Sequence, residues 1–217
     1  MNPWKWTLIF LCIWGQNFGC ERHQLPSSLR QLCICRTSNL LVCKNINSSA
    51  VFQTSKPSVN DISNTVPVNP FQTVTELHIE DSNFKKGCLN PKDFEGFHSL
   101  NSLSVISSGL KSFLCENNKE ETEQNFSQLK ELDLSKNQIK DLNLTDSLVQ
   151  LVKLNVSHNH IKTLAPRFFA QFKQLVTLDL SNNQLDEHLQ PSVFQTLPKS
   201  LEYLDISSKY IKVDFRC

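Results

Sequence analysis

Apolar and polar side chains alternate in short runs that recur from Val74 to Ile211. The cleanest run is Leu129-Lys-Glu-Leu132-Asp-Leu134-Ser-Lys-Asn137-Gln-Ile139, apolar at positions 1, 4, 6 and 11 with an asparagine at position 9. Two more follow at once: Leu151, Leu154, Val156, Asn159, Ile161, and Leu175, Leu178, Leu180, Asn183, Leu185. A looser copy comes after them (Leu201, Leu204, Ile206, Ile211), and two degenerate copies come before (Val74, Leu77, Ile79, Phe84 and Leu100, Leu103, Val105, Leu110). The copies begin at residues 74, 100, 129, 151, 175 and 201, so the period runs from 22 to 29 residues. Self-similarity at that period predicts a solenoid.

The alternation around positions 4 and 6 has the period of a strand with one buried face. One coil cannot bury its apolar face alone, so coils stack and their strands join. The predicted fold is an α/β-type solenoid: a horseshoe with a parallel β-sheet on its concave face and an irregular or short-helical convex side. Asn137, Asn159 and Asn183 fall where the chain leaves the strand, and their amides are expected to pair buried backbone groups into a ladder. Ser82 and Ser108 replace that asparagine in the first two copies, which are therefore expected to be less regular; Lys209 replaces it in the last. Phe94, Phe97, Phe169, Phe172, Phe194 and Leu197 read as convex-side packing.

Residues 1–19 read as a signal peptide: Lys5 precedes a short apolar run, Trp6 to Trp14, too short to span a bilayer. Cysteine usage agrees with export. Cys20, Cys33, Cys35 and Cys43 form a cap at 20–43, and four cysteines allow three pairings. Cys33 and Cys35 are expected to point to opposite sides of a strand and not to bridge each other; Cys20–Cys35 with Cys33–Cys43 is preferred. Cys88 and Cys115 occupy nearly equivalent positions of adjacent coils, close enough for a bridge between them. Cys217 is left over, expected to be a free thiol or an intermolecular link. Sequons stand at Asn47, Asn125, Asn143 and Asn155, so a glycoprotein is expected.

Residues 44–73 are polar and read as an irregular or decayed first coil, residues 74–213 as six repeats, and residues 214–217 as an uncapped C-terminus. Glu116 to Asn125 is a polar insertion read as a solvated loop. The formal net charge is +1, which gives no global drive toward nucleic acid or an anionic membrane, and no later segment has the apolar length of a membrane helix. Catalytic motifs and cofactor-binding loops are absent. His158 and His160 flank Asn159 without a converging carboxylate or thiolate, so they read as surface and not as metal ligands.

With cap cysteines followed by L-x-x-L-x-L-x-x-N-x-L coils, the chain resembles the animal extracellular leucine-rich repeat proteins. The strings L-D-L-S-K-N-Q-I and L-D-L-S-N-N-Q-L, each followed by a phenylalanine segment, are similar to the "typical" repeats of Toll-like receptor ectodomains and of neuronal and matrix proteins. Cys20 lies thirteen residues before Cys33, where the family pattern has three, and the N-P-x-x-C-x-C run of the family's C-terminal cap does not occur. The expectation is a short secreted relative, a splice form or a fragment of a longer receptor, self-associating through an open end or Cys217.

What the resemblance implies is a secreted recognition module of innate immunity or cell-surface signalling, binding a protein on its concave sheet. A structural matrix or adhesion protein is the alternative. Outward positions 3, 5 and 7 read Glu76, His78, Glu80; Ser102, Ser104, Ile106; Glu131, Asp133, Ser135; Lys153, Asn155, Ser157; Thr177, Asp179, Ser181; Tyr203, Asp205, Ser207. Six carboxylates against one lysine predict an acidic strip suited to a basic partner and poorly suited to sulfated glycans. The competing reading gives the position-5 aspartates a local hydrogen-bonding task. Tyr203 is the anchor candidate by residue type.

Overall fold

A computed structural model describes residues 20, 25–37, 39–46, 52, 69–84, 86–115, 126–142, 144, 148–185 and 191–208. The expected signal peptide, the sequons at Asn47, Asn125 and Asn143, the 116–125 insertion, most of 44–73, and Lys209, Ile211 and Cys217 lie outside the described residues.

One eight-stranded sheet runs through the described chain in sequence order. Its strands are β1 Cys33–Cys35, β2 Leu40–Lys44, β3 Glu76–Glu80, β4 Ser102–Ile106, β5 Glu131–Asp133, β6 Lys153–Asn155, β7 Thr177–Asp179 and β8 Tyr203–Asp205. From β2 to β8 every pair is parallel and in register, with Leu77, Leu103, Leu132, Leu154, Leu178 and Leu204 side by side. These leucines point inward because the strand period is two, and all but Leu204 are buried. Among the described residues the helical elements are one four-residue turn, α1 Ser27–Arg30, and three 3₁₀ segments on the far side, η1 Pro91–Phe94, η2 Phe168–Gln171 and η3 Pro191–Thr196. This is the predicted parallel-sheet solenoid.

The sheet begins earlier than the repeats do. β1 and β2 form an antiparallel hairpin, and β2 then pairs in parallel with β3, so the cap supplies the first coil's strand. Cys33 and Cys35, two residues apart, share one face of β1 and do not point to opposite sides as expected. Register decides their partners: Cys33 stands opposite Cys43, with which it is bonded, and Cys35 bonds Cys20. Cys88 bonds Cys115, next to a parallel bridge between Leu89 and Leu114.

Each asparagine ties its coil to the one before it. Asn137 Nδ2 donates to Val105 O of the preceding coil and to Leu134 O and Ser135 O of its own, while Oδ1 accepts from Leu110 N and Ser108 N. Asn159 repeats the pattern with Leu134 O, Val156 O and Ile139 N, and Asn183 with Val156 O, Leu180 O and Ile161 N. The serine coils are not less regular in the sheet: β3 and β4 run five residues, against three in β5 to β8. A hydroxyl suffices because it donates and accepts at once. Ser82 Oγ donates to Glu80 O and accepts from Ile46 N; Ser108 Oγ donates to Ile106 O and accepts from Ser82 N.

The residue just before the ladder position is left-handed in six consecutive coils: Asn45, Asp81, Ser107, Lys136, His158 and Asn182, with φ between 48° and 56°. Asparagine, aspartate and histidine tolerate that region best. Lys136 occupies it at a cost on the order of 1 kcal/mol.

Rings fill the convex side. Phe52, Phe71, Phe94, Phe97, Phe113 and Phe126 form one continuous cluster, with Phe71 stacked on Phe97 at 4.6 Å between centroids. Phe168, Phe169, Phe172 and Phe194 form a second. Leu197, expected to pack with them, is exposed.

Two expectations follow. Asn137→Leu, which strands buried backbone groups, should lower unfolding free energy by about 1–3 kcal/mol, and Asn137→Ser should cost less because two native coils already use serine. Urea denaturation checks this against Asn39→Leu on the exposed cap loop; equal midpoints for Asn137→Leu and Asn39→Leu would refute the ladder's role. Replacing Cys88 and Cys115 together by alanine opens a link between residues 27 apart in sequence. It should cost about 3 kcal/mol in the same assay.

Candidate binding face

Strand alternation places three rows of side chains on the concave surface. The middle row runs Ile34, Val42, His78, Ser104, Asp133, Asn155, Asp179, Asp205. Beside it run Leu40, Glu76, Ser102, Glu131, Lys153, Thr177 and Tyr203. The third row is open at its start, with Lys44, Glu80 and Ile106, and again at Ser207 beyond β8. Ser135, Ser157 and Ser181, expected on this face, are buried, because β5 to β8 end two residues before them.

The middle-row carboxylates perform a local task. Asp133, Asp179 and Asp205 each accept from the backbone N–H two residues on (Ser135, Ser181, Ser207) at 2.8 Å. Asn155 does the same for Ser157 at 3.0 Å, and its amide donates to Asp133 Oδ2 at 3.0 Å. This side-chain turn lets the chain leave the strand sharply with its N–H satisfied.

Two other carboxylates of the expected acidic strip, Glu80 and Glu131, are compensated, whereas Glu76 is exposed between Leu40 and Ser102. Glu80 lies between Lys44 Nζ at 2.5 Å and His78 Nε2 at 2.6 Å. The hydrogen bond from Lys44, then that from His78, lowers the Glu80 carboxyl to about 2. Glu131 pairs with Lys153 at 2.8 Å, and that hydrogen bond raises the Lys153 ammonium above its ordinary value. Compensation weakens toward β8. There Asp179 and Asp205 are register neighbours beside Tyr203, whose hydroxyl lies 3.4 Å from Asp205 Oδ2. The Asp205 charge, then desolvation and Asp179, raises the Tyr203 phenol above its ordinary value. The Ser207 backbone N–H lowers Asp205. Tyr203 is 52% exposed, the largest open aromatic of the described face.

Between these ends the floor is shallow. Ser102, Ser104 and Thr177 leave a hollow of about 440 Å³, walled by His78, Ile106, Glu131, Lys153 and Tyr203. The structure thus brings Glu76, His78, Glu80, Glu131, Asp133, Lys153, Asn155, Asp179, Tyr203 and Asp205 onto one surface. Ile34 (53% exposed), Val42 and Lys44 of the cap also belong to it and were missed from sequence. The cysteines at 33 and 35 pointing inward were the signal that Ile34 points out. His158 and His160 lie off this face, beside Asn182 and Gln184 amides at 3.4 and 3.3 Å. Among the described residues no group of His, Cys, Asp and Glu is arranged to hold a metal ion, and no helix is long and apolar enough to cross a membrane.

The leucine rich repeat family matches residues 128–185 and 149–211. Residues 128–211 are leucine-rich repeats of that family, and the described sheet has the leucine-rich repeat fold. The chain is 31% identical over 128 residues to receptor-like protein kinase BRI1-like 3 of Arabidopsis thaliana, covering 55% of this chain and 11% of that one. It is 29% identical over 149 residues to the leucine-rich repeat-containing G-protein coupled receptor 5 of Rattus norvegicus, covering 67% of this chain and 15% of the receptor. The chain therefore spans only a small part of the relatives it matches. Among solved structures, that of the Drosophila Toll–Spatzle complex shares the fold, with TM-score 0.50 and 23% identity over 63% of this chain and 17% of that one.

The Glu80 cluster predicts a pH dependence. Its folded value is depressed, so its contribution is fully present above the ordinary carboxylate value of 4.5 and is lost as pH falls toward about 2. Thermal melts across that window should show this loss in the wild type and a shallower one in Lys44→Gln. Parallel curves would refute the coupling.

Proposed function

We propose that this chain is a receptor-like, extracellular protein-binding module whose concave sheet takes a ligand with a basic surface. The observation that carries this is the Tyr203–Asp205–Asp179 end of the hollow, where an exposed aromatic stands beside carboxylates with which no lysine among the described residues pairs. An aromatic anchor next to uncompensated charge suits an inserted lysine or arginine. Three disulfides support an oxidising compartment, and the likeness to receptor ectodomains supports ligand recognition in place of catalysis. Secretion behind a signal at 1–19, glycosylation at Asn47, Asn125 and Asn143, and service in innate immunity are part of the same proposal, with the Asn155 sequon left unmodified. A glycan on Asn155 would stand on the hollow's floor and shut this face to a protein.

The position-5 geometry provides a clean charge test. Asn155 already makes the turn that the aspartates make, so Asp179→Asn with Asp205→Asn removes charge and keeps the fold; because both substitutions create Asn-x-Ser sequons, wild type and variant are compared as protein made without N-glycosylation. A displayed peptide library panned on the wild type should enrich lysine- and arginine-bearing sequences. Their capture should weaken about tenfold in that double variant or in Tyr203→Ala, the scale of one interface hot spot. Undiminished capture by both variants would overturn the assignment of the face.

A further inference from the structure

A row of lysines that pair with no carboxylate among the described residues lies not on the concave sheet but on the lateral edge, where each coil turns away from its strand. Lys111, Lys140 and Lys162 each follow the last apolar residue of the repeat pattern, in three consecutive coils. Backbone bonds fix those coils edge to edge just beside them: Gln138 N to Leu110 O at 2.7 Å, His160 N to Ile139 O at 2.8 Å and Gln184 N to Ile161 O at 2.9 Å. The row therefore repeats at the strand spacing of about 5 Å per coil. Lys136 stands on the same edge, in the left-handed position that asparagine or aspartate fills in other coils.

All four lysines are exposed, and the ion pairs among the described residues engage Lys44 and Lys153 instead. Including Lys86, the described part of this edge carries five lysines against Asp81 and Asp141. A net charge of +1 hides the segregation: the edge is basic while the concave face is acidic toward β8.

We infer that this lateral row is a binding site for a linear sulfated polysaccharide. Cations repeated at a fixed interval along a rigid edge match a polymer whose anions repeat along a line. The four lysines offer compact point charges without the planar fork of arginine, and the aromatic rings of the described edge are the imidazoles of His158 and His160, each beside a side-chain amide of the next coil, so charge is the main recognition feature of the row. The three disulfides fit the extracellular setting of the proposed function, where sulfated polysaccharides are the abundant linear polyanions. The sequence expectation against sulfated glycans concerned the concave strip, which is a different surface. The inference is independent of the proposed concave ligand, since it shares no residue with that site.

The experiment measures binding of a size-defined heparin oligosaccharide to the full chain by calorimetry over a range of salt concentrations. Binding should be saturable at about 0.15 M salt. Lys111→Gln/Lys140→Gln/Lys162→Gln should weaken it about tenfold or more, the sum of three modest exposed charge contacts. The salt slope should fall by about 0.7–0.9 per lysine removed, the range nucleic-acid polyanions set. Lys44→Gln/Lys153→Gln on the concave face should bind like the wild type. Polyglutamate and a single-stranded oligonucleotide of equal charge should compete weakly. The inference is overturned if the wild type does not bind, if the triple variant binds like the wild type, or if the concave variant loses as much. Equal competition by polyglutamate would assign the row to an acidic protein segment, and by the oligonucleotide to nucleic acid.

Discussion

A buried amide between consecutive coils is the interaction on which the rest of this structure depends. Where each coil leaves its strand, backbone N–H and C=O groups point along the stack into a space that side chains close to water. Burying them unpaired would cost more than the short strands return. One asparagine offers two donors and a two-fold acceptor, and Asn137, Asn159 and Asn183 use both ends, binding carbonyls of two coils and an amide of the earlier one. Because the amide reaches one coil spacing, it sets the pitch. The leucine row, the strand register and the spacing of every exposed row follow from it.

The interior was legible in the sequence for the same reason. A buried row accepts few residue types, so Leu at positions 1, 4 and 6 and Asn at position 9 announce themselves by repetition. Even Cys88 and Cys115 could be paired, because equal offsets within two copies imply proximity once coils stack. The limits of that legibility have physical causes. Ser82 and Ser108 look like defects beside asparagine, yet a hydroxyl already satisfies one donor and one acceptor, and the strands there are longer. Cys33 and Cys35 read as facing apart although a two-residue step returns to the same face. Their partners were set by a hairpin register that no repeat encodes.

The face was less legible than the core. Exposed positions accept many residues, and one residue type there serves more than one end. Aspartate at position 5 suggests an acidic binding strip when only outward direction is considered. Three of those aspartates in fact hold the N–H that begins the next turn, and an uncharged asparagine does the same in the coil between. What distinguishes charge that is free to recruit a partner is the neighbour across the strand: Lys153 beside Glu131 and Lys44 beside Glu80 quiet the earlier part of the face. Toward β8, Asp179, Asp205 and Tyr203 lack such a neighbour among the described residues, as Glu76 does near the start, and no one-dimensional pattern reports that absence.

The same neighbour rule explains why two charged surfaces coexist on a nearly neutral chain. In a solenoid a residue's lateral contacts are mostly with its equivalents in adjacent coils, not with the opposite face of its own coil. A lysine in a row of carboxylates is neutralised locally, whereas a lysine in a row of lysines is not, whatever the total. Lys153 and Lys140 illustrate the two cases. They sit thirteen residues apart, one bound to Glu131 and the other on an edge where its row-mates are Lys111 and Lys162. The amide ladder holds both rows at fixed pitch while placing no demand on the side chains they carry. Charge on each surface can therefore vary coil by coil without disturbing the stack, which is the physical basis for surfaces of opposite charge on one solenoid.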